Sequence, residues 1–168
     1  MSIATDLRSL FNRPFSPWIT PRKWWVVFIA SLIGLIDSFW IMLLEIEGIK
    51  NPLVYQTCTA GDLFNCGIVV RSWQAQAFGF PNPLLGILFY ELFLVIMIVA
   101  RYGFTPSPIL KNFLSWMLIA GWVFSLWLFM QSWMVIGVFC IYCLISTLAC
   151  SIICIVLLTS FWNQKKLL

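Results

Sequence analysis

The fold is decided by residues 112–164, NFLSWMLIAGWVFSLWLFMQSWMVIGVFCIYCLISTLACSIICIVLLTSFWNQ, a stretch without a charged side chain. A helix that crosses the hydrocarbon core of a membrane needs about 20 apolar residues, so this stretch is too long for one span. It fits two spans joined by a tight turn, and polar and small residues collect near Gln131–Gly137. We therefore predict helices at about 113–136 and 138–162.

Two further apolar runs precede this stretch. Trp24–Leu44 is interrupted only by Asp37, and a run at about 83–100 contains Glu91. The composition agrees, since 62% of the residues are hydrophobic and 10% are charged, whereas a typical soluble domain has about 25% charged residues. The sequence predicts an all-α integral membrane protein, a bundle of four transmembrane helices.

Lysine and arginine accumulate on the cytoplasmic side of membrane proteins and so predict the orientation. The basic residues outside the loop at 45–81 are Arg8, Arg13, Arg22, Lys23, Arg101, Lys111, Lys165 and Lys166. We expect residues 1–22 and the tail at 163–168 to be cytoplasmic, and the loop at 45–81 to face outward. The basic balance follows from this topology and does not indicate nucleic-acid binding.

The composition also excludes several kinds of chemistry. The chain contains no histidine, which removes histidine-based acid–base catalysis and every zinc site that uses imidazole. Four of the six cysteines remain as candidates for chemistry, because the predicted topology brings Cys58, Cys66, Cys140 and Cys143 to the outer face. Disulfides form and persist on that side of a membrane. Cys150 and Cys154 lie deeper in the fourth helix, where we expect them to be small packing residues.

Cys140 and Cys143 have a spacing that suits redox chemistry. Residues three apart on a helix have Cα atoms about 5 Å apart, within the range of a disulfide. The start of a helix also favours a thiolate. Taken alone, Cys58–Cys66 fits a structural loop disulfide better than a redox pair, and a four-cysteine zinc site is disfavoured by the wide spacing of that pair. We expect no metal.

Two cysteine pairs on one face are typical of an electron relay. Thiol–disulfide exchange moves two electrons at a time through a mixed disulfide. A loop pair can collect electrons from a protein outside the membrane and pass them to the helix pair. Because the sequence shows no motif for flavin, haem or nicotinamide, the expected acceptor is a quinone dissolved in the bilayer.

These residues resemble the vitamin K epoxide reductase family from about residue 24 to 160. The similarity rests on Cys58 and Cys66, on Ser72, on FGFPNPLLG at 78–86 with Tyr90, and on FCIYC at 139–143. Their order and spacing match, and the FGFPNPLLG stretch is most similar to bacterial members. DsbB-like proteins, also four-helix quinone-linked oxidases, carry C-x-x-C in the first loop, whereas here it follows the third helix.

The resemblance implies a four-helix bundle around a quinone, capped by the outer loop. It implies that Cys140–Cys143 is the active-site disulfide and that Cys143 is nearer the quinone. Cys66 would attack Cys140, and Cys58 would receive electrons from a reduced thioredoxin-fold partner.

The resemblance also suggests quinone-binding residues. Asn82 matches the family's asparagine that hydrogen-bonds a quinone carbonyl, and Phe78 and Tyr90 belong to the same motif. Ser72 matches a serine near the shuttle cysteines, although it is also suited to cap a helix or to face solvent. One position departs from the family: Thr147 replaces a tyrosine that contacts the quinone in animal enzymes. The quinone is expected to be of the ubiquinone, menaquinone or phylloquinone type.

Several local features remain as expectations. Pro81 and Pro83 either hold Asn82 toward the bundle interior or mark an ordinary helix start. Residues 68–78 are expected to form one short interfacial helix. Asp37 and Glu91 are the ionisable residues of the predicted spans, which makes them candidates for handling the two protons that a quinone takes up; the alternative, which we favour, is a packing role.

The function expected from these features is the oxidation of dithiols by a membrane enzyme that uses a quinone as acceptor and supports disulfide formation. Many bacterial relatives carry a fused thioredoxin-like domain. This sequence ends at Leu168 without one, so we expect a separate DsbA-like partner and a bacterial plasma membrane. Two alternatives remain open. One is a vitamin K epoxide reductase of the endoplasmic reticulum, for which KKLL at 165–168 would serve as a retrieval signal. The other is a non-catalytic four-helix scaffold with a structural loop disulfide.

Overall fold

The computed structural model describes residues 16–51, 53, 59–60 and 64–165. Cys58 and most of the predicted N-terminal segment and tail lie outside the described residues. In chain order the elements are α1 (Pro21–Lys50), β1 (Thr59–Ala60), β2 (Phe64–Asn65), α2 (Cys66–Val70), a 3-10 helix (Trp73–Gln76), α3 (Asn82–Arg101), α4 (Pro108–Gln131), a π-helical turn (Ser132–Ile136) and α5 (Ile141–Lys165).

Within the described residues, four helices are long and apolar enough to cross a membrane: α1, α3, α4 with its π-helical turn, and α5. This confirms the predicted all-α membrane fold, to which the structure adds a two-residue antiparallel pairing of β1 with β2. Proline occupies the first turn of α1, α3 and α4, where its missing N–H costs no helical hydrogen bond.

The bundle is open on one side. Helix α1 packs against both α3 and α5, and α5 packs against α4, whereas α3 and α4 make few contacts with each other within the described residues. The largest fully buried side chains belong to α3, α4 and α5: Phe93, Met97, Leu114, Leu118, Ile153 and Leu157. Residues of both α3 and α4 line a cavity beside this core, and the candidate site lies there.

One helix boundary that differs from the sequence expectation affects the site. Helix α1 continues to Lys50, so Glu45 belongs to a membrane helix and not to the loop. The π-helical turn Ser132–Ile136 continues the third long helix to Ile136, which is the end expected for it. Gly137 then reverses the chain at φ 78°, a left-handed conformation that favours glycine.

The described part of the outer loop forms a cap over one end of the bundle, made of α2 and the 3-10 helix. The expected single helix at 68–78 is wrong. It is divided because Ser72 adopts an extended conformation with ψ 154°. Consequently Trp73 points outward and Gln74 is the buried residue of the 3-10 helix.

Candidate active site

The cap brings two cysteines together that are 74 positions apart in the chain. Cys66 is the first residue of α2 and Cys140 precedes α5, and their Sγ atoms lie 3.6 Å apart. Both side chains are almost completely buried, with exposed fractions of 1% and 3%. A backbone hydrogen bond of 3.1 Å from Asn65 N to the Phe139 carbonyl ties the two segments together next to the thiols.

The two cysteines differ in oxidation state. Cys66 takes part in a disulfide, whereas Cys140 and Cys143 are free. A disulfide bond is about 2.05 Å long, so a sulfur in contact with another at 3.6 Å needs only a small shift to react with it. The arrangement is suited to exchange between the loop disulfide and the pair at the start of α5.

Cys140 occupies the N-cap position of α5. Its Sγ accepts a hydrogen bond of 3.4 Å from the backbone N–H of Cys143, and its carbonyl accepts the first helical bond, 3.1 Å from Leu144 N. The side chain of Cys143 lowers the pKa of the Cys140 thiol most, burial opposes this, and the backbone N–H groups of Cys143 and Tyr142 lower it further. Cys140 is therefore the cysteine that the helix start stabilises as a thiolate.

Beside the thiols lies a cavity of about 730 Å³, lined by residues of the four long helices and the cap. Cys143 lines its wall, whereas Cys66 and Cys140 do not. Going from the cap to the cavity, the thiols therefore follow the order Cys66, Cys140 and Cys143. Most of the remaining wall is apolar, as is usual for pockets that hold organic cofactors.

Asn82 supplies a polar group to this cavity. Asn82 is the first residue of α3, and it also lines the cavity. The two roles considered for the neighbouring prolines, a helix start and an inward orientation of Asn82, are therefore both present. Its Nδ2 donates a 2.6 Å hydrogen bond to the Gln74 carbonyl, while its buried Oδ1 has no partner among the described residues. An unpaired buried oxygen is costly, so it marks a place where a ligand hydroxyl is favoured.

Aromatic rings line the opposite part of the cavity. Phe78 is 62% exposed and stands at the mouth, with its ring centroid 5.5 Å from that of Phe124 on α4. A flat ring system with two oxygens and an apolar tail fits such a space, because apolar walls surround a small number of polar groups. The residues present therefore fit a quinone.

Three hydroxyl residues named in the sequence analysis, Ser72, Tyr90 and Thr147, also line the cavity. Each already donates its hydroxyl proton to a backbone carbonyl. Tyr90 donates to the Ser146 carbonyl at 2.7 Å, and Ser72 donates to the Val69 carbonyl at 2.7 Å. Thr147 donates to the Cys143 carbonyl at 2.7 Å. These side chains shape the cavity and hold its elements together, and they have no free proton to offer a ligand.

Glu45 is the residue that the sequence missed. It lines the cavity although it lies in a part of α1 that the sequence assigned to the loop. Asp37 is also buried, but it is not among the lining residues, and Glu91 is exposed on the outward face of α3. Cys150 and Cys154 are buried in the apolar core, and Cys150 also reaches the cavity wall.

Four membrane helices, a buried thiol cluster and an adjacent apolar cavity define a class of membrane-embedded redox proteins. A model of the vitamin K epoxide reductase family matches residues 25–159. Because this match covers most of the chain, the chain belongs to that family, as its motifs suggested. It is a multi-pass integral membrane protein and an oxidoreductase of the thiol- and quinone-linked type. A search of curated proteins found no match.

Proposed function

We propose that this protein oxidises a separate thioredoxin-fold protein of the DsbA type and passes the electrons to a membrane quinone, so that it supports disulfide formation. The observation that carries the proposal is the contact of 3.6 Å between Cys66 Sγ and Cys140 Sγ, with Cys143 next in line on the cavity wall. A structural loop disulfide has no need of a free, buried thiol in contact with it.

The proposed route begins with thiol–disulfide exchange in the loop. The reduced partner attacks Cys58, the proposed second cysteine of the loop disulfide, and Cys66 leaves as a thiolate. Cys66 then attacks Cys140 of an oxidised Cys140–Cys143 pair and releases Cys143. After the partner's second thiol has released Cys58, attack of Cys58 on Cys66 restores the loop disulfide and expels Cys140.

The result is a reduced Cys140–Cys143 pair beside an intact loop disulfide. The described arrangement matches this state, because Cys66 is in a disulfide and the other two cysteines are free. The lowered pKa of Cys140 supports its role in the last step, since a thiol of lower pKa leaves faster.

The cavity is the proposed quinone site. When bound, a quinone accepts two electrons and two protons as the Cys140–Cys143 disulfide forms. The second Nδ2 hydrogen of Asn82 would donate to a quinone oxygen, and its unpaired Oδ1 would accept from a hydroxyl of the reduced form. Phe78 would cover the ring at the mouth of the cavity. The gap between α3 and α4 leaves room for the apolar tail.

For the membrane we propose the bacterial plasma membrane, with both termini in the cytoplasm and the cap outside. The support is the distribution of lysine and arginine in the sequence. In this orientation the Cys66–Cys140 contact lies on the side on which a DsbA-like partner is found.

Anaerobic reduction of a quinone by the purified protein tests the proposal, with a reduced DsbA-like donor and, separately, a small dithiol. We expect wild type to turn over with both donors, Cys143→Ala to be inactive, and Cys66→Ala to fail only with the protein donor. Cys154→Ala is the matched control, because Cys154 is a buried cysteine of the same helix outside the relay. If the relay variants retain wild-type rates, the cysteines are structural and the proposal is wrong.

A further inference from the structure

Glu45 is a buried carboxyl group between the cap and the cavity. Its exposed fraction is 5%, and its Oε1 accepts a hydrogen bond of 3.2 Å from Nε2 of Gln76. Its Oε2 is buried and has no partner among the described residues. A carboxyl group that is nine-tenths buried is rarely left half-satisfied for packing alone, because the unpaired oxygen destabilises the fold.

The position of Glu45 connects two environments. Gln76 is exposed on the outer surface of the cap, and Glu45 lines the cavity below it together with Asn82 and Cys143. A proton taken up by the Glu45 carboxyl group at the cap surface is therefore already at the lining of the proposed quinone site. Within the described residues no other acidic side chain lines that cavity.

The proposed reaction needs such a group. Closure of the Cys140–Cys143 disulfide releases two electrons, and a quinone must also receive two protons to become a hydroquinone. The thiol of Cys143 can bring one proton. In the proposed route Cys140 leaves as a thiolate, and the N–H of Cys143 stabilises it in that form, so the second proton must come from another group.

We infer that Glu45 is the proton donor of the cavity: its protonated carboxyl group gives one proton to a quinone oxygen and is then reprotonated from outer water past Gln76. This inference rests on the proposed function. The other acidic residues of the long helices are less suited. Asp37 lies eight positions before Glu45 on α1, about 12 Å from it along the helix axis, and does not line the cavity. Glu91 is exposed on the far side of α3.

Glu45→Gln tests the inference, because the amide keeps the size and one hydrogen bond of the side chain but carries no transferable proton. Glu47→Gln is the matched control, an exposed glutamate two positions away on the same helix. We expect Glu45→Gln to lower kcat for quinone reduction about 100-fold, the scale of a lost general acid, with KM unchanged. Glu45→Asp, which keeps an acid, should retain more activity than Glu45→Gln, and Glu47→Gln should match wild type.

Two further measurements do not depend on quinone turnover. Exchange between the reduced partner and the cysteines, trapped by alkylation in quinone-free protein, should proceed at the wild-type rate in Glu45→Gln, which also shows that the variant is folded. Infrared spectra of the quinone-free protein should show a protonated carboxyl band that shifts in D2O and is lost in Glu45→Gln but not in Glu47→Gln.

Each outcome decides the question. Wild-type kcat in a Glu45→Gln variant with normal thiol exchange overturns the inference, as does a loss confined to KM or a carboxyl group that is ionised in the infrared spectrum. If wild type itself exchanges thiols but reduces no quinone, the proposed function fails and the role of Glu45 fails with it. Slow quinone reduction with normal exchange in Glu45→Gln alone supports both.

Discussion

The contact between Cys66 and Cys140 predicts that these two cysteines form a disulfide when their other partners are removed. In the variant Cys58→Ser with Cys143→Ser, both thiols are free, and their Sγ atoms start 3.6 Å apart. A bond of about 2.05 Å then requires an approach of about 1.5 Å, which side-chain rotation can supply. We expect near-complete cross-linking under mild oxidation.

The size of the effect follows from the chain. The cross-link joins residues 74 positions apart, and closing a loop of that length in the unfolded chain stabilises the oxidised form by about 4 kcal/mol in the chain-entropy account. Thermal unfolding of the oxidised and reduced forms in detergent measures this difference. Peptide mapping without reduction identifies the linked cysteines.

The same variant contains its own control. Cys150 is free and lies about 15 Å beyond Cys140 along α5, so Cys66 must not pair with it. A variant in which Cys66 stays reduced, or pairs mainly with Cys150, would refute the arrangement of cap and bundle on which the relay depends.

Further predictions concern the packing and the thiol at the site. Gly86→Ala should lower the free energy of unfolding by about 1–3 kcal/mol, because its Cβ would lie 2.5 Å from Ser38 Oγ, and adding Ser38→Ala should restore most of the loss in a thermal melt. Tyr90→Phe should cost about 1 kcal/mol in the same assay, since it removes the bond from α3 to the α5 carbonyl; an unchanged melt would contradict this. In fully reduced protein, iodoacetamide should still alkylate Cys140 at pH values below the ordinary cysteine pKa, because only the thiolate reacts and the pKa of Cys140 is lowered. Cys143→Ala should shift the midpoint upward, and the opposite shift would be evidence against the hydrogen bond.

The sequence predicted those parts of the site that depend on local pattern. The charge-free run and the C-x-x-C spacing placed Cys140 and Cys143 at the start of the last long helix, and the structure has Cys140 at its N-cap. Asn82 was likewise recognisable from its two flanking prolines and its motif. Such features require only neighbouring residues to be interpreted.

The parts that the sequence missed depend on contacts between distant residues. Glu45 was assigned to the loop because it follows the apolar run Trp24–Leu44, yet it lines the cavity and accepts a hydrogen bond from Gln76, 31 positions later. The cap was expected to be one helix, but the extended backbone of Ser72 divides it. The hydroxyl of Tyr90 was a candidate for the quinone, and only the packing of α3 against α5 shows that Ser146 already uses its proton.

The central claim is that electrons from a dithiol protein reach a quinone through this chain. The most direct measurement is the anaerobic stoichiometry with purified wild type, comparing disulfides formed in a DsbA-like donor with hydroquinone produced. The account predicts one hydroquinone for each disulfide, because both products arise from the same two electrons. Disulfide formation without hydroquinone, or no oxidation of the donor in the presence of quinone, would contradict it.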